Sequence, residues 1–144
     1  METRATSRKK SYKMEIILKP VGYARHSSES VPRHWSVSDV EGDLVLDPEY
    51  LPAMADIEAG SRIVVLFHFD RSEPFTPGHL RQTPPHKDRP MGVFSICSPV
   101  RPNPIGLSVL TVLGVAENVI RVRGLDLLDH TPILDIKPHI EAPA

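Results

Sequence analysis

The segment Arg101-Pro102-Asn103-Pro104-Ile105-Gly106 concentrates recognition chemistry in a stiff frame. Its two prolines fix their own φ and restrict the residue before each, and Gly106 permits a conformation that other residues avoid. A loop so constrained presents the Arg101 guanidinium and the Asn103 amide with little entropy left to lose on binding, which suits a carboxylate, a phosphate or a base edge. It suits a rigid turn between two strands equally well. A second group follows in Asp126-Leu127-Leu128-Asp129-His130-Thr131-Pro132 and Asp135-Ile136-Lys137-Pro138. Carboxylates at 126 and 129 can accept hydrogen bonds from a ribose or an ammonium group while Leu127 and Leu128 meet a flat ring. Alternatively, Asp129 and Thr131 build a turn and Asp135 pairs with Lys137.

Other chemistries lack their motifs. There is no Gly-x-Gly-x-x-Gly after a strand, no glycine-rich phosphate loop ending in Lys-Ser or Lys-Thr, and no His-Glu-x-x-His, which argues against Rossmann and P-loop folds. His26, His34, His68, His79, His86, His130 and His139 are scattered without the short pairwise spacing of a structural zinc site, so no metal is expected, and His68 in an apolar strand reads as a core histidine. Cys97 is the only cysteine; it excludes an internal disulfide and fits a reducing compartment. Seventeen Lys and Arg against 18 Asp and Glu leave a formal net charge of -1, so a nucleic-acid partner needs a local basic patch. Arg71, Arg81, Lys87, Arg89, Arg101, Arg121 and Arg123 recur around the long loop and the two segments above, and on one face they would form a phosphate track.

The elements that must position these groups are short. The chain has 144 residues, about one domain, and 15 prolines, which leave little room for long helices. Strands are expected at Met14–Leu18, Asp43–Leu46, Arg62–Phe69, Val93–Cys97, Leu107–Val115, Val119–Val122 and Ile133–Ile136, with Glu117-Asn118 at a hairpin tip. The continuous apolar run in Arg62–Phe69 suggests a central strand buried on both faces. Asp47-Pro48 opens a short helix that Gly60 closes. The turn spacing fits an antiparallel barrel or a sandwich. Residues 1–13 read as a flexible basic arm and 14–144 as one β domain with long proline-rich loops. No apolar run approaches the roughly 18 residues of a membrane span, and the polar start carries no secretory signal, so a cytoplasmic protein without a membrane partner is expected.

Three blocks then match a known pattern in order: Met91-Gly92-Val93-Phe94 through Ser98-Pro99-Val100-Arg101-Pro102-Asn103-Pro104-Ile105-Gly106-Leu107-Ser108; Gly124-Leu125-Asp126-Leu127-Leu128-Asp129; and Thr131-Pro132 with Asp135-Ile136-Lys137-Pro138. With Pro20-Val21-Gly22 and the Val65–Phe69 strand, the chain resembles the TrmO (YaeB-like) tRNA methyltransferases from about Met14 to Ile140. The resemblance implies a single-sheet antiparallel β-barrel with one or two short helices, S-adenosylmethionine as cofactor, tRNA as partner and a homodimer. It implies methyl transfer to N6 of N6-threonylcarbamoyladenosine beside the anticodon; the alternative is an S-adenosylmethionine-binding sensor module without catalysis. Carried over by position, the cofactor would meet Pro32, Arg33, His34, Phe69, Asp70, Arg71, Cys97, Leu107, Leu127, Leu128, Asp129 and His130, and the substrate Arg101, Asn103 and Lys137. Arg101 and Asn103 could instead face the cofactor. Asp70, Asp129, His34 and His130 are the candidates for proton transfer. Cys97 stands where the family pattern has Arg, and His130 where it has Gly.

Overall fold

Short β-branched stretches punctuated by proline and glycine favour strands joined by tight turns over long helices. In the computed structural model, which describes residues 14–142, these stretches form β1 (Gly22–Arg25), β2 (Glu41–Leu46), β3 (Arg62–His68), β4 (Arg81–Gln82), β5 (Met91–Gly92), β6 (Ile105–Ala116), β7 (Val119–Arg123) and β8 (Pro132–Pro138). Six of them close an antiparallel barrel in the order β1-β2-β7-β6-β3-β8, while β4 and β5 form a separate two-stranded ribbon. The basic segment 1–13 lies outside the described residues.

Alternation sends one set of side chains inward. Ile63, Val65 and Phe67 of β3 are buried and meet Leu44, Leu110, Ile120, Leu125 and Ile133, each wholly buried, in one core. Withdrawing a side chain of this size from water stabilises the fold by about 1.5–3 kcal/mol. Val64 and Leu66 stay half-exposed on the outer wall, so β3 is not buried on both faces. The barrel covers only its inner surface there, and among the described residues no helix layer lies over it.

Three expected elements differ. Met14–Leu18 forms no strand, and Ile17 is 83% exposed. Closure pairs β1 with β8 directly, through Gly22–Ile133 and Tyr23–Pro132, which leaves that run no strand edge to join. Val93–Cys97 is a single 3-10 turn over Val93–Ser95 followed by extended chain, because the pairing strand stops at Gly92. The short helix runs from Pro48 to Met54 and is wound as 3-10, with Pro52 inside it lacking an amide donor. The hairpin tip is where expected: Glu117 has a φ of 52°, and the Asn118 side-chain amide donates to the Leu46 carbonyl at 2.6 Å.

On the outer wall, Asp43 lies between Arg25 (2.9 Å) and Arg121 (3.3 Å). Burial resists its ionisation, but hydrogen bonds from the two guanidiniums outweigh this and hold it below the usual carboxylate range. A depressed folded pKa adds stability above the unfolded value of about 4, and that stability is lost as pH falls through the folded value. Asp43→Asn should therefore lower the thermal midpoint at neutral pH and converge with the wild type in acid, as calorimetry across pH would show.

Candidate active site

The end of β3 and the turn between β7 and β8 come together at one mouth of the barrel. Phe67, Phe69, Asp70, Arg71 and Ser72 from the first, Asp126, Leu127, Leu128 and Thr131 from the second, and Pro99 from the proline loop line a cleft of about 220 Å³. A second cleft of about 230 Å³ adjoins it through Phe69, Asp70 and Ser72, and is walled by His68, Phe75, Arg101, Pro102 and Pro104. Each alone falls short of a typical small-molecule site, and joined they reach that range. His68 thus stands at the second cleft rather than in the core.

The 126–131 turn is held from several directions. The Arg71 guanidinium donates to the Asp129 carbonyl at 2.7 Å and the Thr131 hydroxyl at 3.1 Å, strapping the turn to the end of β3. His26 supplies two further ties: its backbone amide donates to Asp129 Oδ1 at 2.9 Å, and its Nε2 donates to the Leu127 carbonyl at 2.8 Å. Its Nδ1 accepts from the Ser28 amide, which assigns the proton to Nε2. The Ser38 hydroxyl donates to the Leu125 carbonyl, and the Thr131 hydroxyl to the Leu128 carbonyl at 2.6 Å. Residues far apart in sequence therefore fix the backbone on which the cleft is built.

Asp126 is the partly buried carboxylate of the cleft. Its Oδ1 accepts a hydrogen bond from Ser108, a wholly buried hydroxyl on the inner face of β6. Burial pushes this carboxyl above its ordinary value, against the opposing pull of Ser108, nearby backbone amides and the charge of His34. Asp129 is shifted the other way. The His26 amide, chiefly, and the His130 ring hold its ionised form against a smaller effect of burial.

The expected contact residues divide accordingly. Phe69, Asp70, Arg71, Leu127 and Leu128 line the first cleft, and Arg101 lines the second. His34 lies near Asp126, but its Nδ1 accepts from the Ser36 amide as the cap of a 3-10 turn, with Pro32 and exposed Arg33 just before it. Asp129 and His130 face each other at 2.8 Å outside both clefts, and the His130 ring stacks on Tyr23 at 5.8 Å. Arg101 also organises its own loop by donating to the carbonyls of Ile96 (2.9 Å) and Ser98 (3.1 Å). Asn103 and Cys97 are exposed and line neither cleft. Leu107 points outward from β6, 52% exposed, and Lys137 pairs with Asp135 further along β8. Asp126, expected with Asp129 as an acceptor for a ribose or an ammonium group though not among the residues carried over from the resemblance, lines the first cleft; its inward placement depends on Ser108, for which the turn itself carries no signal.

An apolar floor bordered by carboxylates suits a flat ring attached to a cationic group. Among the described residues, no group of three or more His, Cys, Asp or Glu is placed to hold a metal ion, and no helix is long and apolar enough to cross a membrane. The molecule is thus a β-barrel with a split cleft for a small organic ligand. Residues 23–143 match the family model described as the tRNA-methyltransferase O N-terminal domain. The chain is 40% identical over 131 residues to the probable S-adenosyl-L-methionine-binding protein of Methanothermobacter thermautotrophicus, covering 89% of this chain and 93% of that protein. It is 30% identical over 140 residues to the tRNA (adenine(37)-N6)-methyltransferase of Mus musculus, covering 87% of this chain and 31% of the mouse protein. The crystal structure of TrmO from Pseudomonas aeruginosa superposes with a TM-score of 0.66 at 29% identity, over 88% of this chain and 57% of that one. The chain belongs to the TrmO family of S-adenosylmethionine-dependent methyltransferases.

The residues present fit that cofactor. Leu127, Leu128 and Phe69 offer faces to an adenine ring, and Asp126 and Asp70 offer acceptors to hydroxyls or a positive charge. Gly106 lets the Phe67 and Phe69 rings pack directly against its backbone, in space that a Cβ would contest.

Proposed function

We propose that the chain transfers a methyl group to N6 of N6-threonylcarbamoyladenosine beside the tRNA anticodon, with tRNA bound by a cytoplasmic homodimer. The observation that carries this reading is the junction of the two clefts at Phe69, Asp70 and Ser72. One cleft takes the cofactor and the other, walled by Arg101 and the prolines, takes the acceptor nucleotide. S-adenosylmethionine supplies a methyl already activated by its sulfonium, so no covalent nucleophile is needed. Phe69, Leu127 and Leu128 orient the flat groups and exclude water. Arg81, Lys87 and Arg89 on the long loop, and Arg101 beside the second cleft, supply the positive charge that a phosphate backbone needs. Ile105 and Leu107 stand exposed on the outer face of β6 as an apolar strip that a second copy covers in this reading.

Nucleoside mass spectrometry after incubation with S-adenosylmethionine and tRNA carrying the modified adenosine tests the proposal. The expected product is that nucleoside with one added methyl. No mass gain on any nucleoside, with cofactor binding intact, would favour the second reading, a binding module without catalysis. That reading draws on the M. thermautotrophicus relative, which is matched over nearly its whole length and is named for binding alone.

A further inference from the structure

We propose that the outer wall beside the cleft mouth binds an RNA strand, with the His130 ring as the platform on which an unpaired base stacks and Arg25, Arg121 and Arg123 as its phosphate contacts. The inference rests on the reading of RNA as the partner and adds a surface to it.

His130 is held in a costly posture. Its φ of 68° falls in the left-handed region, which among the described residues only Glu117, at the hairpin tip, shares outside glycine. A residue with a Cβ is strained there and persists where its surroundings hold it. Three contacts do so: its backbone amide donates to the Ala24 carbonyl at 2.8 Å, its Nδ1 donates to Asp129 Oδ2 at 2.8 Å, and its ring lies on Tyr23 with the planes 14° apart. The His26 amide in turn fixes Asp129. One face of the imidazole is therefore covered and the other is open, the side chain being 74% exposed. A flat ring that faces solvent with its edge already bonded loses little freedom when an unpaired base stacks on it.

The platform continues into a cationic wall. Tyr23 and Arg25 point outward from β1, Glu41 and Asp43 from β2, and Arg121 and Arg123 from β7. Arg25 lies beside the Tyr23 hydroxyl and shares Asp43 with Arg121. The Asp43 side chain is 19% exposed and each of its two arginines 50%, so an incoming polyanion meets guanidinium before carboxylate. Glu41 makes a long contact of 3.8 Å with Arg121, and Arg123 forms no ion pair among the described residues. Arg25 and Arg123 end their strands where the chain turns toward the cleft, and Thr131, next to His130, lines the first cleft. A strand laid along these arginines brings one unpaired base onto His130 and its neighbour to the mouth.

Fluorescence anisotropy with an RNA hairpin that has an unpaired loop, and with a fully paired RNA of the same length, tests this. The wild type should bind the hairpin more tightly than the paired RNA. In His130→Gly the hairpin affinity should fall by about 5- to 150-fold, the range for one base stacked on an aromatic ring. Affinity for the paired RNA should stay, and the thermal midpoint should hold or rise, because glycine takes this φ without strain. Stacking releases no counterion, so the salt dependence of hairpin binding should keep its slope in His130→Gly; in Arg123→Gln, which removes one phosphate contact, it should become shallower by about 0.7–0.9. Equal hairpin affinity in His130→Gly and the wild type overturns the inference, and an unchanged slope in Arg123→Gln overturns its phosphate track. A loss that follows a lowered midpoint marks a structural role and overturns it too. So does a matching loss of S-adenosylmethionine affinity by calorimetry, which would place the ring at the cofactor. Displacement of the hairpin by polyglutamate at equal charge would make the wall a general polyanion surface and also overturns it. If the wild type binds neither RNA, the RNA reading and this inference fall together; hairpin binding that survives His130→Gly removes this inference alone.

Discussion

Gly106→Ala should lower both stability and cofactor affinity more than any other single methyl added at the cleft. A Cβ at this position would clash with Cζ and Cε2 of Phe67 and stand 2.8 Å from Cζ of Phe69. Phe67 is buried in the core, and it meets Phe69 edge to face at 5.0 Å, so neither ring can retreat freely. Overpacking of this kind costs about 1–3 kcal/mol. The route of least resistance turns Phe69 into the space where the two clefts meet. Calorimetric titration with S-adenosylmethionine should show affinity weakened by about tenfold or more, the factor that 1.4 kcal/mol represents. Gly92→Ala is the control, because nothing lies within 4 Å of its added methyl. Unchanged binding in Gly106→Ala would remove Phe69 from the wall of the ligand site.

Adjacent leucines should separate core from ligand contact. Leu127 is 3% exposed and belongs to the barrel core, whereas Leu128 is 43% exposed, although both line the first cleft. Leu127→Ala should destabilise the protein by about 2–5 kcal/mol in denaturant titration, from lost burial and the cavity left behind. Leu128→Ala should cost stability within about 0.5 kcal/mol, as surface changes do, yet weaken cofactor binding measurably. Equal stability losses in the two variants would contradict the alternation across the turn.

Much of this arrangement was legible in the residues. The β-branched run of β3, the Asn118 hairpin and the strands β6 to β8 follow from local pattern, because pairing partners and inward alternation reinforce it. Met14–Leu18 has the same apolar character but no partner, and closure of β1 on β8 is a property of the whole sheet that no short window contains. The two functional loops were visible as stiff or acidic segments. Which carboxylate turns inward was not, since Ser108 settles it from the inner face of β6 and His26 secures Asp129 from beyond β1. His130 illustrates the converse: its φ of 68° lies in the left-handed region that favours glycine, the residue expected there from the resemblance.

The β1–β8 junction has a kinetic meaning. β3 and β6 align seven residue pairs and β6 lies next to β7 in the chain, whereas the barrel closes through two pairs joining Gly22 and Tyr23 to Ile133 and Pro132, near opposite ends of the described chain. Contacts between such distant segments carry the largest loop-closure entropy and form late. The cleft turn leads directly into β8, and His26, which anchors it, directly follows β1. The ligand site is therefore expected to be the last part of the molecule to assemble during folding, and the first to open when the native state breathes.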